Sequence, residues 1–342
     1  MEQNKTGKYL KYAIGEIVLL VIGILIALML NTRKEQNTNK TQIEGILKGI
    51  SKNLETDMKS VDVLIKMSKK YDSLAKNILA KKLTASDYEG DLWNNENIRL
   101  TRGTVETVRF ERKAYDRLMG NIEIIPRAYN PIVESLQHVY SVEIPILTDV
   151  ENDFRNYINE IENKLRNTYE WYSMTDKVHY QQQINYYLNN PKYFNDISGL
   201  QRHVLHLIVH LNELKAAITI AYNKIHKALL SDVLFSKHIE QFELSEVNEL
   251  NEYIGKYKLM NPKSASYIPD TLTIETKNSY LNISPMNFIV VKKEKDKFDD
   301  ISTADIKFNF KRDTNGIIYS LEAIHKMQDK DSILTDIFEK IK

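Results

Sequence analysis

Residues 12 to 30, YAIGEIVLLVIGILIALML, carry a single charge, Glu16, in an otherwise apolar run. From Ala13 to Leu30 the run is about 18 residues, the least that crosses a bilayer core, and as a helix 12 to 30 is roughly 28 Å long. Its Ile, Leu and Val residues contribute roughly −3 to −7 kcal/mol to insertion, against about +3 for a charge at the bilayer centre, and Glu16 is well off centre. The run therefore reads as a transmembrane anchor. A cleaved signal peptide and a buried core helix are the competing readings. Against the first, no small-x-small site ends the run, which closes Ala27-Leu28-Met29-Leu30-Asn31, and cleaved apolar regions are shorter.

Lys5, Lys8 and Lys11 precede the run, and Arg33, Lys34 and Lys40 follow it. The charge bias is nearly balanced, but a short basic tail before a first span stays in the cytoplasm, and long following domains cross regardless of charge. The expected placement is a single-pass inner-membrane protein with residues 1–11 cytoplasmic, 12–30 in the bilayer and the rest periplasmic. At 100° per residue Glu16, Gly23 and Ala27 share one face of this helix. Gly23-xxx-Ala27 is a small-xxx-small pair, which lets a second helix approach closely, and intramembrane acids face protein more than lipid. A helix contact through Glu16, Gly23 and Ala27, with a second copy or another membrane protein, is the expectation. The alternative is that Glu16 snorkels to the interface.

The pattern Lys8-Tyr9, Tyr12-Ala13-Ile14-Gly15-Glu16-Ile17, Val21 to Leu28 and Asn31 resembles the opening of a large membrane-protein family of Bacteroidota. In that family an Asn-Trp-Asn-Glu stretch commonly follows the span. Here Asn31-Thr32-Arg33-Lys34-Glu35 stands there, without the tryptophan. The resemblance extends in weaker form to about residue 240, including AYDRLMGNIEII (114 to 125). It implies an anchored membrane protein and carries no known activity.

With 342 residues, 42% of them hydrophobic, the chain can fill real cores. Its formal net charge of +1, with acids and bases interspersed, offers no field for nucleic acid. There is no cysteine, which excludes thiolate zinc sites, thiol nucleophiles and disulfides. From Gln36 to Lys82 apolar residues recur in steps of three and four without a proline, predicting one long amphipathic helix continuing from the anchor. A second helix is predicted over about 104 to 119, with Gly120 just past its end. A third should start at Asn130 as cap with Pro131 behind it, and run to about 166 with a kink or interruption at Pro145. Further helices are predicted over about 175 to 189 and 197 to 229, the last capped by Asp196. Antiparallel packing of these apolar faces predicts a helical bundle over 31–245.

Beyond about residue 247 the period becomes two. Leu272 and Ile274 alternate with polar neighbours, as do Ile306, Phe308 and Phe310, and turns are expected at Lys277-Asn278-Ser279, Glu294 to Lys297 and Asn315-Gly316. Six or so short strands over 246–342 predict a small antiparallel β-barrel or half-barrel. LNEYIGKYKL (250 to 259) and FKRDTNGIIYSLE (310 to 322) resemble the small lipocalin-like module appended to exported serine hydrolases of the β-lactamase-like kind. That resemblance implies an exported setting; the hydrolase's own Ser-x-x-Lys set is not evident upstream, so no activity follows from it.

His203, His206 and His210 fall within about 60° on one helix face, a spacing that can hold zinc, copper or nickel given a further ligand, His179 or His138. The same positions border the apolar stripe, where amphipathic side chains sit as a matter of course. The aromatic stretch 169 to 194, with Trp171, Tyr172, Tyr186 and Tyr187, is either a recognition surface or a packed core. No phosphate-cradling glycine loop or nucleophile elbow occurs. The sequence thus points to an anchored binding, sensing or scaffold protein with no catalytic residues and no cofactor assigned. A metal protein or enzyme centred on the histidine face, and a small-ligand carrier built on the β module, are the alternatives.

Overall fold

The computed structural model describes residues 3–89, 95–102, 107–173, 177–231, 233–243, 245, 247–261, 268–277, 280–302, 306–326 and 333–341. Helices occupy Gln3–Leu79 (α1), Glu96–Arg102 (α2), Lys113–Met119 (α3), Asn130–His138 (α4), Ile144–Thr168 (α5), Lys177–Asn189 (α6), Pro191–Leu229 (α7) and the short Val247–Leu250 (α8). Strands follow at Gly255–Leu259 (β1), Thr271–Lys277 (β2), Tyr280–Ser284 (β3), Phe288–Glu294 (β4), Lys297–Asp300 (β5), Ile306–Arg312 (β6), Ile318–Lys326 (β7) and Ile333–Ile341 (β8). The chain is mainly α, and its strands form a closed antiparallel barrel in sequence order, β8 pairing back onto β1.

Two compact units share these elements: Met1–Ile50 with Lys113–Asn130, and Ser51–Arg112 with Pro131–Lys342. In the first, Ile43, Ile46, Leu47 and Ile50 of α1 are buried, as are Tyr115 and Leu118 of α3. Tyr129 Oη donates to Glu44 Oε1 at 2.6 Å, and Gln42 Nε2 to Asn121 Oδ1 at 3.0 Å. The N-terminal part of α1 is different. Every described side chain from Ile14 to Leu30 is exposed.

In the second unit, Leu54, Met58, Val61 and Leu64 continue the buried stripe of α1, and α5 packs along α7. A close approach is built in at Gly199, where an added Cβ would stand 1.9 Å from Tyr157 Oη. The predicted second helix is shorter than its period suggests: residues 107–112 are non-helical, and 103–106 lie outside the described residues. Side chains from neighbouring elements engage this segment instead. Asp57 and Glu151 accept the backbone N–H groups of Glu111 and Val108, Asn53 Nδ2 donates to Glu111 O at 3.4 Å, and Arg112 Nη1 to Tyr140 O at 3.1 Å. A helix there would consume those N–H groups internally.

Two local expectations are corrected by tertiary context. Asn130 is not a cap: its φ of −51° and ψ of −45° are already helical, because a 3-10 turn at Arg127–Tyr129 leads into α4. Asp196 is not a cap either. Asn190 accepts from the Lys192 N–H at 2.9 Å and Pro191 opens α7, while Asp196 takes Lys164 at 3.0 Å. The interruption expected at Pro145 is present, as a π-helical turn, Val139–Glu143, between α4 and α5. The wider turn sits where a proline ring would otherwise crowd the carbonyl four residues back.

The barrel is filled. Tyr257, Leu272, Leu281, Phe308, Leu321 and Phe338 on its inner face are fully buried. Arg312 ties one end together: its guanidinium donates to both oxygens of Asp296 at 2.7–3.0 Å, to both of Glu252 at 2.6–2.8 Å, and to Gly316 O at 2.8 Å. Its charge and hydrogen bonds hold the Asp296 and Glu252 carboxyls below the ordinary range. Tyr253 Oη also donates to Asp296 at 2.9 Å. The Asn315-Gly316 turn is present, with Gly316 at φ 79°, and so is the turn before Lys297, with Asp296 at φ 63°. Residues 278–279 of the third expected turn lie outside the described residues. On the outer face of β3 and β4, Tyr280, Ile289 and Val291 are also buried, against Ala216 and Ile220 of α7 and Phe242.

Candidate functional site

Beside that contact, α4, the π-helical turn and α7 face the outer wall of β2 to β4 across a cleft of about 500 Å³. The helices supply Glu134, Ser135 and His138, then Glu143, then Glu213, Ala217 and Ile220. The strands supply Thr276, Lys277, Tyr280, Asn282 and Ile289, and Asn287 joins them from the β3–β4 turn. Its volume falls within the range of small-molecule sites, and an apolar floor with a few polar groups is their usual composition.

The polar groups are mostly committed. Lys224 of α7, 6% exposed, reaches behind the cleft wall and donates to Ser135 Oγ at 2.7 Å and Pro131 O at 3.2 Å. Burial lowers its ammonium below the ordinary lysine value, partly offset by the charge of Glu134. His138 Nε2 lies 3.1 Å from Glu143 Oε1. The other oxygen, Glu143 Oε2, is buried and has no hydrogen-bond partner among the described residues. Tyr280 is raised above the ordinary phenol value by burial and by the Glu143 charge.

The histidine face is resolved into parts. His203 stacks on Tyr157, with ring centroids 4.7 Å apart, and on Phe154 at 6.2 Å; burial lowers its value. His206 and His210 meet through their Nε2 atoms at 3.0 Å, and His210 Nδ1 lies 2.7 Å from Glu213 Oε2. His138 belongs to Glu143, and the His179 side chain lies outside the described residues. Among the described residues no group of three or more His, Asp or Glu could hold a metal ion.

Trp171, Tyr186 and Tyr187 are buried rather than displayed. They pack against Tyr88, Tyr169 and Tyr193 at centroid distances of 4.8–5.6 Å, forming a core between α6 and the start of α7. Tyr172 is half-buried and donates to Glu162. Glu16, Gly23 and Ala27 are exposed on α1, and nothing lies within 4 Å of where a Gly23 Cβ would be. The described α1 contains a window long and apolar enough to cross a membrane, none of it buried; α7 contains another, but over half of that window is buried as core.

Comparison with protein-family models, curated proteins and solved structures finds no match to this chain. The site must be read from its own geometry. Sequence reasoning missed the cleft because its walls come from three segments far apart in the chain. One signal was available. FIVV in β4 and AAITIAY in α7 are apolar on every side, which requires that both faces of that strand and the whole circumference of that helix be covered.

Proposed function

We propose that this chain is a single-pass membrane-anchored binding protein whose folded part lies outside the cytoplasm and takes a small polar ligand in the cleft between α7 and the barrel wall. The observation that carries the reading is the apolar stretch Ile14–Leu30, every side chain of which is exposed among the described residues. So much bare aliphatic surface is unstable in water and matches the thickness of a bilayer. The short basic tail ahead of the span and the exported setting of the module it resembles support the orientation. Protease added to spheroplasts should digest the folded part while the protein stays with membranes after alkaline washing. Protection of the folded part, or release into the wash, would refute the reading.

A second reading, a metal-binding role, is favoured by the 3.0 Å approach of His206 and His210. Metal analysis of the purified protein against His206→Ala tests it, with stoichiometric metal lost on substitution as the supporting result. A ligand carried inside the barrel is less well supported, since it would displace Phe308 and Phe338, both fully buried.

A further inference from the structure

We infer that the cleft is a site for a small organic ammonium compound, the cation meeting the free oxygen of Glu143 while its carbon chain lies on Ala217, Ile220 and Ile289; this rests on the reading of the cleft as a ligand site. Glu143 is 8% exposed, and only one of its two oxygens is met, by His138. A buried carboxylate oxygen without a donor is costly to maintain, and a charged N–H donor is the partner that recovers most of that cost.

The surroundings select the sign of the ligand. Glu134, Glu143 and Glu213 line the cleft against one lining lysine, Lys277. The second cation nearby, Lys224, is spent on Ser135 and Pro131. His138 sits on the other oxygen of Glu143, and His210 stands behind Glu213. The surroundings also select its kind. A cavity of about 500 Å³ is far larger than a bare ion, and the carboxylates do not converge into a group of three that could hold a metal. Ala217, Ile220 and Ile289 give the aliphatic part of an amine a dry surface, and the buried Tyr280 adds an aromatic wall beside the cation.

The test uses three probes of one carbon skeleton, 1,4-diaminobutane, 1,4-butanediol and succinate, titrated calorimetrically into the full chain in detergent. Diaminobutane should bind at least about tenfold more tightly than either other probe, and Glu143→Gln should weaken it by about tenfold or more, the usual weight of one buried charge-assisted hydrogen bond. Lys277→Gln, an exposed change that leaves the fold alone, should tighten diaminobutane a few-fold, so the inference remains testable if Glu143→Gln does not fold. Butanediol or succinate binding as tightly as the diamine, or diamine affinity indifferent to both substitutions, overturns the ammonium assignment and leaves the cleft as a ligand site of another kind. Heat from none of the three probes overturns both.

Discussion

Asp57 on α1 is 3% exposed and accepts the Glu111 N–H, while its Oδ2 has no partner among the described residues. Burial raises its carboxyl from 3.8 to about 7. The folded chain thus holds this proton more tightly than the unfolded chain does. Stability tied to the group is intact below pH 3.8, drains away as the pH climbs, and is fully lost above about 7. At 1.36 kcal/mol per pH unit the gap is worth about 4 kcal/mol, and solvent screening at a group not wholly cut off from water brings this to about 2 kcal/mol. Asp57→Asn removes the charge and keeps an oxygen for Glu111, but places an amide where Oδ2 was, at a cost of about 1 kcal/mol. The variant should therefore be less stable than wild type near pH 4 and more stable, by about 1 kcal/mol, at pH 8. Urea unfolding of the full chain in detergent, followed by circular dichroism from pH 4 to 8, reads the difference directly. The difference is the informative quantity, because burial lowers His203 and His325, and their contributions run the opposite way with pH and cancel between the two proteins. A difference that does not change between pH 4 and 8, or a variant less stable at pH 8, refutes the argument that Asp57 is held as a buried acid.

Arg312→Gln should cost about 1–3 kcal/mol by freeing Asp296 and Glu252 at one barrel end, read as a lower urea midpoint. Gly255→Ala should cost about 1–2 kcal/mol, because φ there is +147° and the new Cβ would meet Lys340 Cε at 2.8 Å; an unchanged midpoint would contradict the strain. Tyr193→Ala, at 1% exposure in the aromatic core, should cost about 3–5 kcal/mol. Gly23→Leu should weaken cross-linking of the full chain in native membranes if the Glu16, Gly23 and Ala27 face packs a second helix; equal cross-linking would remove that contact.

Periodicity made the elements legible. Steps of three and four placed α1 and α7, and alternation at Leu272 and Ile274 and from Ile306 to Phe310 placed strands of the barrel. What local pattern could not supply was competition between partners. Asn130 and Asp196 are good caps in isolation, yet Asn190 and a preceding 3-10 turn take those roles because the chain enters each helix earlier than its apolar stripe begins. The segment 107–112 has a helical reading that Asp57, Asn53 and Glu151 override by engaging its backbone from α1 and α5. Of the candidate sites, the histidine face was visible as a spacing, but its division into a stacked ring and a touching pair depends on Phe154 and Tyr157 from another helix. The aromatic stretch was visible as composition, and only packing decides that Trp171 and Tyr187 face inward.

Closure of the barrel joins Lys256–Leu259 to Phe338–Ile341, so its first strand has no permanent neighbour on one side until its last strand has been made. Because that pairing spans most of the module, the ring forms late and slowly relative to the helices ahead of it. Once shut, each described strand has a strand neighbour on both sides, so no whole strand edge is left open to a second molecule's strand. Deleting β8 would bare the edges of β1 and β7 at once, and should make the chain prone to aggregate.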